Sequence, residues 1–398
     1  MDVKIPALAL VMAVGSAMTA SGQGAPTGEP TKPKRKEQKA LEAIKGTLDG
    51  KIVWSSSRVN STHDIWIMNA DGTDKKALTN GPNVDWFSRF SPDGRKVLFT
   101  RSKMGWVGEM DAKYNDKWDI WVVDVDGSNE RKVVENACWG TWRPDGETIV
   151  FARAGKVFTR KLDGEDEELI FDAEEAHKKG AIAQQPQMSE DGKLLAMTVR
   201  GSVRQTGIWN LEKEEWHTTG AGCQIIFLPD HPKTVIRMNE GHGRGGTEIL
   251  RIEIDDNGAP VDRVKGLMIP KKLKFMDLPG RRSHEYFPEF DQDGEWMVWC
   301  ATQRGHEHDI YDYEVFIWKI GTDPEEDFTR LTFHSGNDRW PDLYLGTPAP
   351  AATESAAEEK SEMESEEQEE GGSEAMDEET GPEMDEGKES EEVESEEE

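Results

Sequence analysis

Cysteine is nearly missing from this 398-residue chain, which holds only Cys138, Cys223 and Cys300. The count is odd and no Cys-x-x-Cys pair occurs, which sets aside a disulfide framework and a cysteine zinc site. All three are read as small buried residues. Positive charge is also scarce, with 48 Lys and Arg against 79 Asp and Glu. Nucleic-acid binding needs a basic footprint, so the charge balance argues against that class. After residue 20 no apolar run is long enough to span a bilayer. No Gly-x-Ser-x-Gly elbow occurs, which disfavours a peptidase-type hydrolase, and no glycine-rich phosphate loop with Lys-Ser or Lys-Thr is present.

The acidic excess is uneven. Residues 347–398 carry 23 acidic residues against two lysines, about two thirds of the formal net charge of -31. A segment so charged and so poor in large apolar residues cannot build a core, and it is predicted to be a disordered tail. At the other end, Lys4 precedes an apolar stretch over residues 5–20, and Ala20-Ser21-Gly22 resembles a cleavage site. This predicts a secretory signal over residues 1–22 and a periplasmic or secreted location; an uncleaved membrane anchor is the alternative. Residues 23–49 read as a basic linker, with a short helix over residues 38–48.

Between these ends one phrase recurs. Ser91-Pro92-Asp93-Gly94 returns as Arg143-Pro144-Asp145-Gly146, Ser189-Glu190-Asp191-Gly192, Leu228-Pro229-Asp230-His231 and Asp291-Gln292-Asp293-Gly294. Each copy follows one apolar strand and precedes another, so each is a hairpin turn. A spacing of roughly 40 to 60 residues is that of four-stranded propeller blades. The prediction is an all-β, six-bladed β-propeller over residues 50–346. Five blades begin near Phe87, Cys138, Gln184, Cys223 and Tyr286. The sixth is split: residues 51–54, 64–68 and 76–78 supply three strands, and residues 340–344 return as its innermost one. Such closure removes an open sheet edge. The blade from Gly222 to Lys265 is the least regular, because His231-Pro232 replaces the turn glycine. Residues 267–279 read as an insertion, and seven blades follow if it folds as strands.

The phrases Ser-Pro-Asp-Gly, Asp-Ile-Trp-Ile-Met-Asn-Ala-Asp-Gly (64–72) and Arg330-Leu331-Thr332 resemble WD-repeat-like propellers of the TolB type. That family includes the periplasmic TolB protein, peptidase-associated propellers and carbohydrate-active enzymes. The TolB protein adds an N-terminal α/β domain, for which too few residues precede Gly50. A narrower resemblance joins Cys223-Gln224, Pro229-Asp230, Asn239-Glu240-Gly241 and Ser283-His284-Glu285 to oligogalacturonate lyase. In that family histidines and a glutamine at the channel mouth hold a divalent metal that neutralises a uronate carboxylate. The resemblance matches Gln224 to the glutamine and His284 to one histidine, whereas Gly222 stands where a family histidine precedes Cys-Gln.

Loops on a rigid scaffold are the usual place for function. The residues that open the innermost strands surround the central channel. Those singled out as ligand-binding are Asp85, Trp139, Gln185, Gln224, His284, Glu285, Asp338 and Arg339, a mixture that suits a hydroxyl-bearing ligand or a protein surface. Packing between blades is the alternative for the tryptophans. A second cluster, rich in imidazole and carboxylate, makes His242, His306 and His308 candidate metal ligands beside Gln224 and His284. Arginines near the ends of second strands, Arg58, Arg101, Arg153, Arg200, Arg237 and Arg304, would suit an anion by bidentate contact if several reach the channel mouth; salt bridges and hydrogen bonds between loops are the alternative. The expected function is a non-catalytic binding module for an envelope or secreted protein or a polysaccharide, as a monomer without a cofactor. The alternatives are a uronate-lyase-like enzyme using a divalent metal (Mn, Zn or Ca) and a structural module of an envelope assembly.

Overall fold

In a computed structural model the described residues are 27–59, 61–109, 115–261, 273–305 and 307–348. They form six four-stranded antiparallel sheets, one per blade. The innermost strands of blades 1 to 5 are Asp85–Phe90, Cys138–Trp142, Ala181–Met188, Cys223–Leu228 and His284–Phe290. Blade 6 closes the ring. Its innermost strand, Asp338–Leu345, pairs with Gly50–Ser56 from Gly50↔Leu345 to Ser56↔Asp338. The six-bladed expectation therefore holds, and the seven-bladed alternative does not.

The recurring phrase builds its turn from its own side chains. Ser91 Oγ donates to Asp93 Oδ1 at 2.5 Å, and the amides of Arg95 and Lys96 donate to Asp93 and Ser91. Gly94 takes the left-handed φ of 70° that ends the turn. Ser189 and Asp191 repeat the arrangement. In blade 4, where the glycine is missing, Asp230 adopts φ 57° and Leu228 pairs with His231. Aspartate tolerates this conformation better than most residues. The insertion is not extra. Its Leu273–Met276 is the outer strand of blade 4, while residues 262–272 lie outside the described residues.

The linker helix runs over Arg35–Ile44, shifted toward the N-terminus relative to the prediction. The amide of Lys34 donates to Glu37 at 2.6 Å, which sets the start earlier. Leu41 and Ile44 pack with Met68, Leu331 and Leu343 at the junction of blades 5 and 6. The predicted signal and nearly all of the acidic tail lie outside the described residues.

One feature of the innermost strands was not foreseen. Each carries a bulge with a single left-handed residue: Phe87, Trp139, Gln185, Gln224, Phe287 and Trp340, with φ between 44° and 60°. The pairing register shifts at the same point in every blade. A left-handed φ costs a non-glycine residue on the order of 1–3 kcal/mol. Repeated six times, it re-aims one side chain per blade.

Candidate functional site

Alternation of strand direction puts the Pro-Asp-Gly turns on one face and the long connections between second and third strands on the other. The bulge lies between them and fills the channel. Phe87, Trp139, Phe287 and Trp340 form an aromatic plug: Phe287 stacks on Trp340 at 3.4 Å, and Trp139 meets Phe87 at 4.9 Å and Trp340 at 5.4 Å. All four are buried.

Above the plug, on the loop face, a clasp closes the mouth. Arg339, fully buried, donates to Glu109 at 2.8 Å and to Asp309 at 2.9 Å. Glu109 belongs to a long loop of blade 1 and Asp309 to one of blade 5, so blade 6 ties its two neighbours together. His308 Nδ1 lies 2.8 Å from Glu109, and its ring sits edge-on to Tyr286 and Phe287. A guanidinium between two carboxylates is a strong, geometrically specific contact.

On the other side of the plug lies a small polar pocket of about 10 Å³, room for one water. Arg89 reaches Glu289 at 2.5 Å, and Gln224 Nε2 donates to Glu289 at 2.8 Å. Gln185 and Gln187 line the same pocket. Burial pushes the Glu289 carboxyl up, Arg89 acting against it and Asp342 with it. Arg89, Thr141, Gln187, Ile226, Glu289 and Asp342 each stand two residues past the bulge of their blade. Laying the blades side by side at their turns reveals the charged members; reading along the chain does not.

No protein-family model matches the chain. Among curated proteins it is 33% identical over 93 residues to the Tol-Pal system protein TolB of Rhizorhabdus wittichii, covering 22% of this chain and 19% of that one. It is 27% identical over 140 residues to an uncharacterized protein of Agrobacterium fabrum, covering 31% and 44%. The chain thus spans less than half the length of these relatives. Among solved structures, TolB from Acinetobacter baumannii superposes with a TM-score of 0.50 at 13% identity, over 76% of this chain and 69% of that one. The fold is that of a TolB-like propeller. A chain of a nidogen/laminin complex superposes equally, with a TM-score of 0.50 at 11% identity, over 76% and 100%. Oligogalacturonate lyase in complex with manganese reaches a TM-score of 0.38 at 13% identity over 61% of this chain, a likeness that carries no argument about activity.

On this TolB-like propeller the carboxylates singled out from the sequence have internal partners. Asp85 receives two hydrogen bonds of 2.7 Å from Arg101. Asp338 receives Arg58 at 2.6 Å and Trp54 Nε1 at 3.1 Å. Glu285 accepts from the Leu278 amide at 2.7 Å, and burial pushes its carboxyl up to about 8. Trp139 belongs to the plug rather than to an open mouth, and Arg339 to the clasp. Gln185 and Gln224 come together, but at the pocket beneath the plug. His284 is half-buried where its strand begins, His242 is exposed on a hairpin loop, His308 is held by Glu109, and His306 lies outside the described residues. Among the described residues no three His, Cys, Asp or Glu side chains are grouped to hold a metal. Cys223 departs from the buried expectation. It is half-buried, with its Sγ between Arg200 and Glu240, and burial raises its thiol to about 12.

Sequence reasoning missed Glu109, Arg89 and Glu289, and did not foresee that Asp309 meets Arg339. It also missed the apolar character of one sector of the loop face. Val59, Met104 and Ile310 are exposed there, on loops of the neighbouring blades 6, 1 and 5. Met104, Trp106 and Val107 line a pocket of about 650 Å³ flanked by Lys103 and Lys117.

Proposed function

We propose that this chain is a periplasmic or secreted protein-binding propeller whose partner docks on the loop face over blades 5, 6 and 1. The observation that carries this reading is the closed channel mouth beside an exposed apolar sector. Among the described residues the clasp and plug occupy the channel, while Val59, Met104 and Ile310 offer exposed apolar anchors beside it. Contiguous exposed apolar surface marks interaction sites, and Met104 stands with Trp106 and Val107 around one pocket of this face. The TolB-like fold and the partial match to a Tol-Pal system protein are consistent with an envelope protein as partner. Among the described residues no helix is long and apolar enough to cross a membrane.

The test is a photo-crosslinking amino acid placed at Met104, at Ile310 and, as a control, at Leu169 on the outer strand of blade 2. In cells that make the protein, the first two positions should trap the same protein and Leu169 should not. Equal trapping at all three, or none, would remove the proposal.

A further inference from the structure

The arginines that end the second strands do not share one fate. Arg58 is paired with Asp338, Arg101 with Asp85 and Glu130, and Arg153 with Glu167. Arg200 and Arg237, on the adjacent blades 3 and 4, have no carboxylate within 4 Å among the described residues. Arg237 is fully buried. Among the described residues its guanidinium donates to neutral groups: the carbonyl of Ala221, Thr206 Oγ1 at 3.3 Å and Asn239 Oδ1 at 3.0 Å. Its Nε is buried with no acceptor. Arg200 donates through Nη2 to the Gly222 carbonyl and Cys223 Sγ, both at 2.7 Å, while its Nη1 is likewise buried without an acceptor.

Both guanidiniums therefore meet the Ala221–Cys223 segment. Gly222 leaves the space they use, since a Cβ there would lie 2.6 Å from Arg237 Nη1. Two acids are nearby and both are engaged elsewhere: Glu240 by Arg204 and the Cys223 thiol, and Glu248 by Asn239. Arg204 and Cys223 lead from this cluster to solvent. A buried cation without a carboxylate in direct contact is costly, and proteins pair such groups. Desolvation accordingly pulls Arg237 down to about 10.

We infer that Arg200, Arg204 and Arg237 form a binding site for an oxyanion, a carboxylate, sulfate or phosphate group of a ligand, on the loop face of blades 3 and 4. The ligand anion supplies the directly paired oxyanion that Arg200 and Arg237 lack, and Glu240 competes with it for Arg204. The site is separate from the apolar sector of blades 5, 6 and 1, so it stands whether or not a protein docks there.

Thermal unfolding of the full chain, titrated with sodium acetate or sodium sulfate at constant ionic strength, tests this. The wild type should show a saturable rise in Tm of several degrees with at least one anion. Acetate acting alone identifies a carboxylate site, and sulfate acting identifies a tetrahedral oxyanion site. Arg237→Met should lose the rise. Arg200→Met, at a half-buried position, should weaken it and remains informative if the first variant does not fold. Glu240→Gln should shift the midpoint to lower anion concentration, an effect that a merely structural role would not produce. No rise in the wild type, or the same rise in all four proteins, overturns the inference.

Discussion

Arg89 and Glu289 meet at 2.5 Å beneath the aromatic plug, although they belong to the innermost strands of blades 1 and 5 with blade 6 between them. Gln224 of blade 4 donates to the same carboxylate. The contact links blades that share no hydrogen-bonded sheet. Removing one partner of such a buried pair costs about 3–5 kcal/mol, because the Glu289 carboxyl, already pushed up by burial, must then stay charged without Arg89 or take up a proton. Arg89→Met should therefore destabilise strongly, and Arg89→Met combined with Glu289→Gln should recover most of the loss. Urea unfolding of the single and double variants measures both. Equal stability of the two variants would show that the pair is not coupled.

The pH dependence of stability can be assigned a sign at Glu285. Burial raises its carboxyl from 4.5 to about 8, although Leu278 and Thr247 hydrogen-bond to it. The folded state then keeps a proton that the unfolded chain releases above about 4.5. Its contribution is complete below that pH and is lost as pH rises through 8. Glu285→Gln keeps an acceptor for the Leu278 amide and removes the charge. Between pH 5 and 9 the wild type should lose on the order of 3 kcal/mol relative to the variant. Parallel urea curves across that range would contradict the assignment.

Arg339 holds loops of blades 1 and 5 through Glu109 and Asp309. In Arg339→Met both carboxylates lose their cation. Amide hydrogen exchange should accelerate in residues 103–109 and 307–312, while the strands of blades 2 to 4 keep their protection. Uniform acceleration around the ring would mean that the clasp stabilises the whole propeller rather than its mouth.

The blade pattern was legible in the sequence because its signals are local. Ser91, Asp93 and Gly94 build a turn from neighbours two to five residues apart. Even the departure at His231 follows a local rule, with Asp230 taking the left-handed conformation that glycine has elsewhere. The channel was not legible. Its bulge puts Phe87, Trp139 and Trp340 in a conformation that their residue types do not advertise, and this turns an expected mouth into a plug. The partners that neutralise the arginines are equally remote: Arg58 and Asp338 are 280 positions apart. Glu109 sits in a loop with no motif, and only the third dimension brings it to Arg339 and His308. Blade 4 misled for a different reason. Its outer strand, Leu273–Met276, comes after a connection longer than the repeat suggested.

The apolar sector separates recognition from folding. Met104 and Ile310 are largely exposed, at 81% and 51%. Exposed side chains away from caps and cores change stability by less than about 0.5 kcal/mol when replaced. Met104→Asp and Ile310→Asp should therefore melt as the wild type does. If the sector receives a partner, each introduced carboxylate is desolvated on docking and opposes it, at a cost much larger than the folding effect. Pull-down of the partner trapped at Met104 should fall at least tenfold in either variant, with Leu169→Asp unaffected. A loss shared by Leu169→Asp would trace to general surface charge, and retention by both loop variants would move the docking surface away from blades 5, 6 and 1.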